Sequence, residues 1–300
     1  MEMFNDEVLK ERIGHLKKSK VLNALEPVEK YAIKKCKQHG IEYSYDVIAQ
    51  EVPYFKTMGY TEYGTCFIFQ PLNLDMRSQQ MRDAFNDGGY DEVLDYCKYL
   101  NGVQEKRQNN KYQDRKQDFD KYPAREYIVV LPGSNKLKEK TCLNRLKYIA
   151  EKHGKNVWFK PRPITTYAVI GEIKDLFGAN NVLPRDIDLY YYLPKAKKVY
   201  TTHISESALY AVAAGIPIEP VDVHNHIENG SFYSINRFLF EYQKHGKEFI
   251  NKAFTSPKSG IINPAIDKDW RGKIDAYFDY ITTRRNLFKG WYIVKNNNGK

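Results

Sequence analysis

One segment of the chain has the residue types expected of a phosphate-binding loop. The apolar run Val157–Phe159 ends abruptly in Lys160-Pro161-Arg162-Pro163. Proline fixes its own backbone and restricts the residue before it, so two prolines hold Arg162 in an extended conformation. An arginine offers a planar fork of donors that matches phosphate oxygens, and a lysine adds a compact charge. The segment predicts an anion site formed by Lys160 and Arg162, with a simply solvated surface loop as the alternative.

A second segment, Thr201–Ala208, offers hydroxyl and amide groups further along the chain. Its sequence is Thr-Thr-His-Ile-Ser-Glu-Ser-Ala, and it opens a helix of small residues. Free amides in the first turn of a helix, together with the helix dipole, favour a bound anion. Ser205 and Ser207 could equally cap the helix and bind nothing. Glu206 suits a ribose or sugar hydroxyl better than a phosphate.

Alternating strand and helix patterns between residues 127 and 221 predict the elements that would position both segments. The run Tyr127–Leu131 is continuously apolar, as expected for a parallel strand covered on both faces. It breaks at Pro132-Gly133-Ser134, which places Gly133 and Ser134 at a strand end, where ligands of open α/β sheets bind. Further strands are predicted at 156–159, 181–183, 198–201 and 215–221, with helices at 166–177, 189–196 and 206–214 and one ending near 152.

The regions on either side of this unit have a mainly helical pattern. Before it, helices are predicted at 6–25, 28–39, 77–85 and 90–100, and one buried strand at 65–70. From 101 to 125 apolar residues almost vanish and charges of both signs alternate, which indicates an exposed connector or a polar helix. After residue 231 the pattern is helical and aromatic, with a second helix near 269–283.

Composition limits the class of protein and its partners. A chain of 300 residues with 42% hydrophobic and 14% aromatic residues is typical of an ordered globular protein. The four cysteines form no CxxC pair, and His224 and His226 lack a third ligand nearby, so we predict no metal site. No apolar run is long enough to span a bilayer, and the N-terminus lacks a signal peptide, which favours a cytoplasmic protein without membrane insertion. A net charge of +10 favours polyanionic partners.

The order of these motifs resembles the C-terminal half of GT-B glycosyltransferases. In the capsular-polysaccharide and sialyl- or Kdo-type transferases, a strand ends in a Lys-Pro-His-Pro-like motif and a later strand ends in serines that open an Ala/Gly-rich helix. The likeness covers residues 127–222, and Arg162 stands where that family has histidine. A guanidinium can bind phosphate but cannot give up a proton at neutral pH, so a proton-donating role of that histidine would be lost.

The resemblance implies an α/β fold with two Rossmann-like domains, of which the first is small and helix-rich. We expect an acceptor-side domain with the polar connector at 1–122, a nucleotide-sugar-binding domain at 123–230, and C-terminal helices with a basic tail at 231–300. A nucleotide sugar would be the co-substrate, with no other cofactor. The residues predicted to bind it are Gly133, Ser134, Lys160, Arg162, His203, Ser205, Glu206 and Ser207.

In that architecture an inverting enzyme takes its catalytic base from the acceptor side. A base must reach the acceptor hydroxyl from a loop at a strand end. Asp75, shortly after the predicted strand 65–70, is the best-placed carboxylate by sequence, and Glu62 and Asp91 are the alternatives.

Charge and size favour duplex DNA as the acceptor. Phage enzymes that add sugars to hydroxymethylated cytosines in DNA are similar in size and character, which would place the chain in a host cytoplasm. The tail after residue 282 is basic and free of acidic residues, and it predicts a nucleic-acid contact through Arg284, Arg285, Lys289 and Trp291. A capsular-polysaccharide or lipopolysaccharide transferase is the alternative. A non-catalytic nucleic-acid-binding protein is a second one. The sequence does not predict an oligomeric state.

Overall fold

The computed structural model describes residues 20–40, 54–58, 66–70, 74–89, 95–105, 118–132, 137–162, 165–222, 232–264 and 266–284. In chain order the elements are α1 (Lys20–Gln38), β1 (Tyr54–Met58), β2 (Cys66–Gln70), α2 (Leu74–Asp87), α3 (Tyr96–Glu105), β3 (Tyr127–Val130), α4 (Leu137–Lys140), α5 (Leu143–His153), β4 (Val157–Lys160), α6 (Tyr167–Phe177), β5 (Lys198–Thr201), α7 (Ser207–Ala213), β6 (Ile218–Pro220), α8 (Tyr233–Glu241), α9 (Gly246–Thr255), β7 (Ile261–Ile262) and α10 (Trp270–Thr283).

A four-stranded parallel sheet is the frame of the molecule. Its strand order is β4-β3-β5-β6, and all three pairs are parallel. The chain leaves β3 toward β4 on one side and then returns to β5 on the other side. The pair β3–β5 is therefore a topological switch point, the place where crevices open beyond the carboxyl ends of the strands. The prediction of a parallel α/β unit is confirmed.

Two predicted elements of this unit take a different form. Residues 181–183 make only an isolated bridge, between Val182 and Phe159, after a 3-10 turn at Ala179–Asn181. The predicted helix at 189–196 is two 3-10 turns, Leu189–Tyr191 and Leu193–Lys195. Proline has no amide proton, so Pro194 cannot donate a helical hydrogen bond, and it lies in the first turn of the second 3-10 segment, where that donor is not needed.

The N-terminal part does not form a second Rossmann-like sheet in the described residues. The predicted strand at 65–70 is confirmed as β2, but β2 pairs antiparallel with β1 on one side and with β7 on the other. A Rossmann-like unit requires parallel strands joined by helices, whereas this three-stranded antiparallel sheet takes two strands from the N-terminal part of the chain and one from the C-terminal part. The helices predicted at 6–25 and 28–39 overlap a single helix, α1, which continues through Pro27.

Both faces of the parallel sheet are covered. Ile128 and Val130 of β3 belong to a large core with α2, α3 and α7 to α9, while Val129 and Leu131 face α5 and α6. The larger core takes in Met81 and Tyr96, so apolar packing crosses the predicted boundary at residue 122. Every residue of α7 is buried. Its small side chains let this short helix pack closely, which fixes the turn that precedes it. None of the helices in the described ranges is long and apolar enough to cross a membrane.

Candidate functional site

Polar residues follow the carboxyl ends of β4, β5 and β6 at one edge of the sheet. Beyond β4 come Pro161 and Arg162, beyond β5 the turn from Thr202 to Glu206, and beyond β6 Asp222. These segments share an edge because all the strands run in the same direction. The structure thus brings together the two segments that the sequence singled out. We call this region the carboxyl edge.

Lys160 is buried at the end of β4, where it holds two loops together. Its side chain is almost inaccessible, with the residue 2% exposed. Nζ donates to the carbonyl oxygen of Pro161 at 2.7 Å and to that of Arg185 at 2.8 Å. Burial lowers the pKa of Lys160 to about 7, although the carboxylates of Asp186 and Asp188 act in the opposite direction. In this arrangement Lys160 organises the edge and does not present a free ammonium group to a ligand.

Arg162 lies on a loop that is fastened to the end of β3. Its backbone amide donates to Oγ1 of Thr165 at 2.9 Å, and the Thr165 amide donates back to the Arg162 carbonyl at 2.9 Å. Thr165 Oγ1 in turn donates to the carbonyl oxygen of Pro132. The Arg162 side chain is half-buried, and it has no hydrogen-bond or ion-pair partner within the described residues. Its charge is therefore available at the carboxyl edge.

Arg185 is a second cation at this edge that the sequence analysis did not single out. Val182 forms a parallel bridge with Phe159 of β4, and the Leu183 amide donates to the Phe159 carbonyl. This pairing places Arg185 at the carboxyl edge. Its guanidinium stacks over the ring of Tyr167 at 4.2 Å, and Tyr167 is 73% exposed. The signal in the sequence was a Pro-Arg pair after a short apolar run, the same pattern as at Arg162.

The hydroxyls of the turn after β5 bond to one another. Ser207 Oγ lies 2.9 Å from Thr201 Oγ1 and 2.7 Å from Ser205 Oγ, and all three residues are buried. Ser205 Oγ also accepts a long bond, of 3.4 Å, from the Ser207 amide. Glu206 is buried and is the N-cap residue of α7. Its side chain makes no capping bond, and the serine hydroxyls instead shape the turn before the helix.

His203 and Asp222 form a dyad between the ends of β5 and β6. Asp222 Oδ2 accepts from the His203 backbone amide at 2.6 Å and lies 3.0 Å from Nδ1 of the ring. A carboxylate in that position requires Nδ1 to carry a proton, because it has no proton to donate itself. The other ring nitrogen, Nε2, has no partner among the described residues. The sequence pointed to His203 but not to its carboxylate.

Asn236 of α8 holds the turn from His203 to Ser205 in place, and the sequence did not point to this residue. Its Nδ2 donates to the carbonyl oxygens of His203 at 2.7 Å and Ser205 at 2.8 Å, and the residue is fully buried. The asparagine therefore holds the histidine and the serine turn as one unit. Only the packing of α8 against the sheet reveals this role.

The other predicted site residues are not assembled at this edge by any described contact. Asp75 is the second residue of α2, and its side chain lies outside the described part of the chain. Arg284 at the end of α10 pairs with Asp83 at 2.5 Å and lies over the ring of Tyr280. Its charge is therefore compensated within the chain. The remaining predicted residues fall outside the described ranges: Glu62, Asp91, Gly133, Ser134, Arg285, Lys289 and Trp291.

Comparison with known proteins gives one distant likeness. No family model matches the chain, and no curated protein matches it. Among solved structures it is similar to KpsC of Thermosulfurimonas dismutans, a β-Kdo 2,7-transferase, with 11% sequence identity and a TM-score of 0.38. The alignment covers 74% of this chain and 79% of that one. A likeness this distant does not establish a shared fold, so the function is inferred from the geometry of the carboxyl edge.

Proposed function

We propose that the protein is a glycosyltransferase that uses a nucleotide-sugar donor bound at the carboxyl edge. The observation that carries this proposal is the position of Arg162, whose charge no described residue compensates, beside the topological switch point. Crevices at such points bind nucleotides in open α/β sheets. A guanidinium matches the oxygens of a phosphate or diphosphate in geometry and charge.

Two further features of the edge suit the other parts of such a donor. Arg185, which pairs with Asp186 at 3.5 Å, adds a second guanidinium over one face of the Tyr167 ring, and the exposed ring offers its other face to a base. The Glu206 carboxylate, in the turn after β5, is of the type that accepts hydrogen bonds from ribose or sugar hydroxyls. Lys160 contributes indirectly, because it ties the Arg162 loop to the Arg185 loop.

Replacement of Arg162 by alanine is expected to weaken donor binding and leave the fold intact. A charge-assisted hydrogen bond contributes about 1.5–3 kcal/mol, which corresponds to roughly a 10- to 150-fold rise in Kd. Isothermal titration with UDP-, GDP- and CMP-activated sugars measures this, after a thermal-shift screen selects the ligand. Arg237→Ala is the matched control, since Arg237 is an exposed arginine that pairs with Glu241 on its own helix. Equal affinities of the wild type and Arg162→Ala would place the donor elsewhere.

The acceptor belongs to one of two classes. The net charge of +10 favours duplex DNA carrying hydroxymethylcytosine, whereas the ion pair of Arg284 with Asp83 leaves that cation compensated and is compatible with a polysaccharide acceptor. Binding to DNA releases counterions, so affinity for DNA falls log-linearly as salt rises. Fluorescence anisotropy with such a duplex at several salt concentrations, alongside sugar incorporation, separates the classes. Salt-sensitive binding without incorporation would favour the non-catalytic binder.

A further inference from the structure

We propose that His203, oriented by Asp222, is the base that takes the proton from the acceptor hydroxyl. This inference rests on the proposed glycosyl transfer, and it assigns a proton-transfer role to a residue that the sequence placed among the donor ligands. Asp75, the base predicted from the sequence, is the competing candidate. The proposal is based on the hydrogen bonds between His203 and Asp222.

The hydrogen bonds of the ring decide which nitrogen can act. Asp222 Oδ2 lies 3.0 Å from Nδ1, so the proton of the neutral ring stays on Nδ1. The lone pair is then on Nε2, which no described residue occupies. An imidazole that is held in this tautomer by a carboxylate is the arrangement in which Nε2 serves as a general base. Asp222 therefore holds His203 in the tautomer in which Nε2 can accept a proton.

The position of Asp222 is fixed from several sides. Its side chain is 4% exposed, and its Oδ2 also accepts the backbone amide of His203. Its backbone bridges to Thr141, and the Cys142 amide donates to the neighbouring carbonyl of Val221. Because Asn236 holds the His203 carbonyl as well, neither partner can turn away without breaking several bonds. Asp222 is a positioning residue in this scheme.

Two aromatic rings of α8 pack against the imidazole, which remains partly exposed. The rings of Tyr233 and Phe240, both on α8, lie 5.6 Å and 4.5 Å from the imidazole. The His203 side chain is 16% exposed. Among the described residues the titratable groups in contact with it are the Asp222 carboxylate and the Tyr233 phenol, and Glu206 is the charged residue of its own turn. The ring is therefore not sealed from solvent.

The reaction step is a single displacement. Nε2 of His203 takes the hydroxyl proton of the acceptor, and the freed electron pair of that oxygen forms a bond to the anomeric carbon. The bond between the anomeric carbon and the donor phosphate oxygen breaks, and its electrons leave with the nucleotide. Asp222 keeps its hydrogen bond to Nδ1 and stabilises the imidazolium that results.

The test compares His203→Gln and Asp222→Asn with wild type in the full chain. Donor hydrolysis, with water as the acceptor, is followed for the nucleotide sugar selected by thermal shift, together with the Kd of that donor. We expect His203→Gln to lower kcat about 10²- to 10⁴-fold and Asp222→Asn to lower it by a comparable factor, with the donor Kd changed less than about threefold.

The matched control is His245→Gln, because His245 also pairs with a carboxylate, Glu248 at 3.2 Å, but on the exposed surface of the molecule. It should leave kcat unchanged. Full activity of His203→Gln, or a parallel loss of donor affinity and kcat, would overturn the role of the dyad and leave the transferase proposal standing. Loss of turnover in Asp75→Asn alone would assign the base to Asp75. If no nucleotide sugar binds the wild type, the proposed function fails, and this inference fails with it.

Discussion

Raising the pH from about 7 to 10 is expected to stabilise the wild-type protein relative to a Lys160→Met variant, by about 1.4 kcal/mol per pH unit. Burial lowers the pKa of Lys160 to about 7 in the folded chain, against 10.5 for an unperturbed lysine. Between these values the unfolded chain binds a proton that the folded chain has released. Stability therefore rises with pH in this window, and below about pH 7 both states bind the proton and the slope vanishes.

Urea unfolding of both proteins at one-unit steps from pH 6 to 10 measures this difference. Other groups titrate equally in the two proteins, so the difference in the free energy of unfolding isolates Lys160. Lys155→Met, which removes an exposed lysine just before β4, is the control and should follow the wild-type curve. Parallel curves for wild type and Lys160→Met would show that the amine is not desolvated in solution. The neutral amine has two protons, which match its two carbonyl acceptors.

Asp267→Ala is expected to destabilise the fold by about 3–5 kcal/mol, because it leaves the ammonium of Lys273 buried without its counter-charge. The two side chains are 3.0 Å apart and almost fully buried. Asp267 also accepts from the Tyr96 hydroxyl and the Asn263 amide, and Lys273 donates to the Phe254 carbonyl. This network joins α3, α9, α10 and the loop before α10, so its loss affects four parts of the core at once.

A double-variant cycle with Lys273→Met separates the pair from its surroundings. The double variant should lose less stability than the sum of the single variants, since removing both charges leaves none uncompensated. Chemical denaturation gives the three free-energy differences. Glu241→Ala, which breaks the exposed pair with Arg237, should cost no more than about 1 kcal/mol. Additive losses at Asp267 and Lys273 would contradict the coupling.

The elements that locate the site could be predicted from local sequence, but its internal contacts could not. The runs at β3, β4 and β5 are apolar and short and end in polar residues, which was enough to predict a parallel sheet with a ligand edge. The burial of Lys160 depends on the Arg185 loop returning across the end of β4, 25 residues later. No local pattern carries that information, so Lys160 was predicted as a ligand contact.

The dyad was missed for a similar reason. His203 and Asp222 are 19 residues apart, and they meet only because β5 and β6 are neighbours in the sheet. Asn236 lies on a helix whose pattern indicates only an amphipathic element, and its role follows from where α8 packs. The described N-terminal residues do not form the predicted second Rossmann-like sheet, because β2 pairs antiparallel with both β1 and β7.

The pairing of β2 with β7 has a consequence for the order in which the protein can fold during synthesis. Ile261 and Ile262 pair with Ile68 and Phe67, so the outer edge of β2 is completed only by residues near the end of the chain. At translation rates of about 5–20 residues per second, the ribosome reaches Ile262 roughly 10–40 s after it has passed β2. Two paired strands alone are marginally stable in water. The nascent N-terminal segment must therefore wait, with an unpaired strand edge that a chaperone or another nascent chain can bind, until β7 has been made.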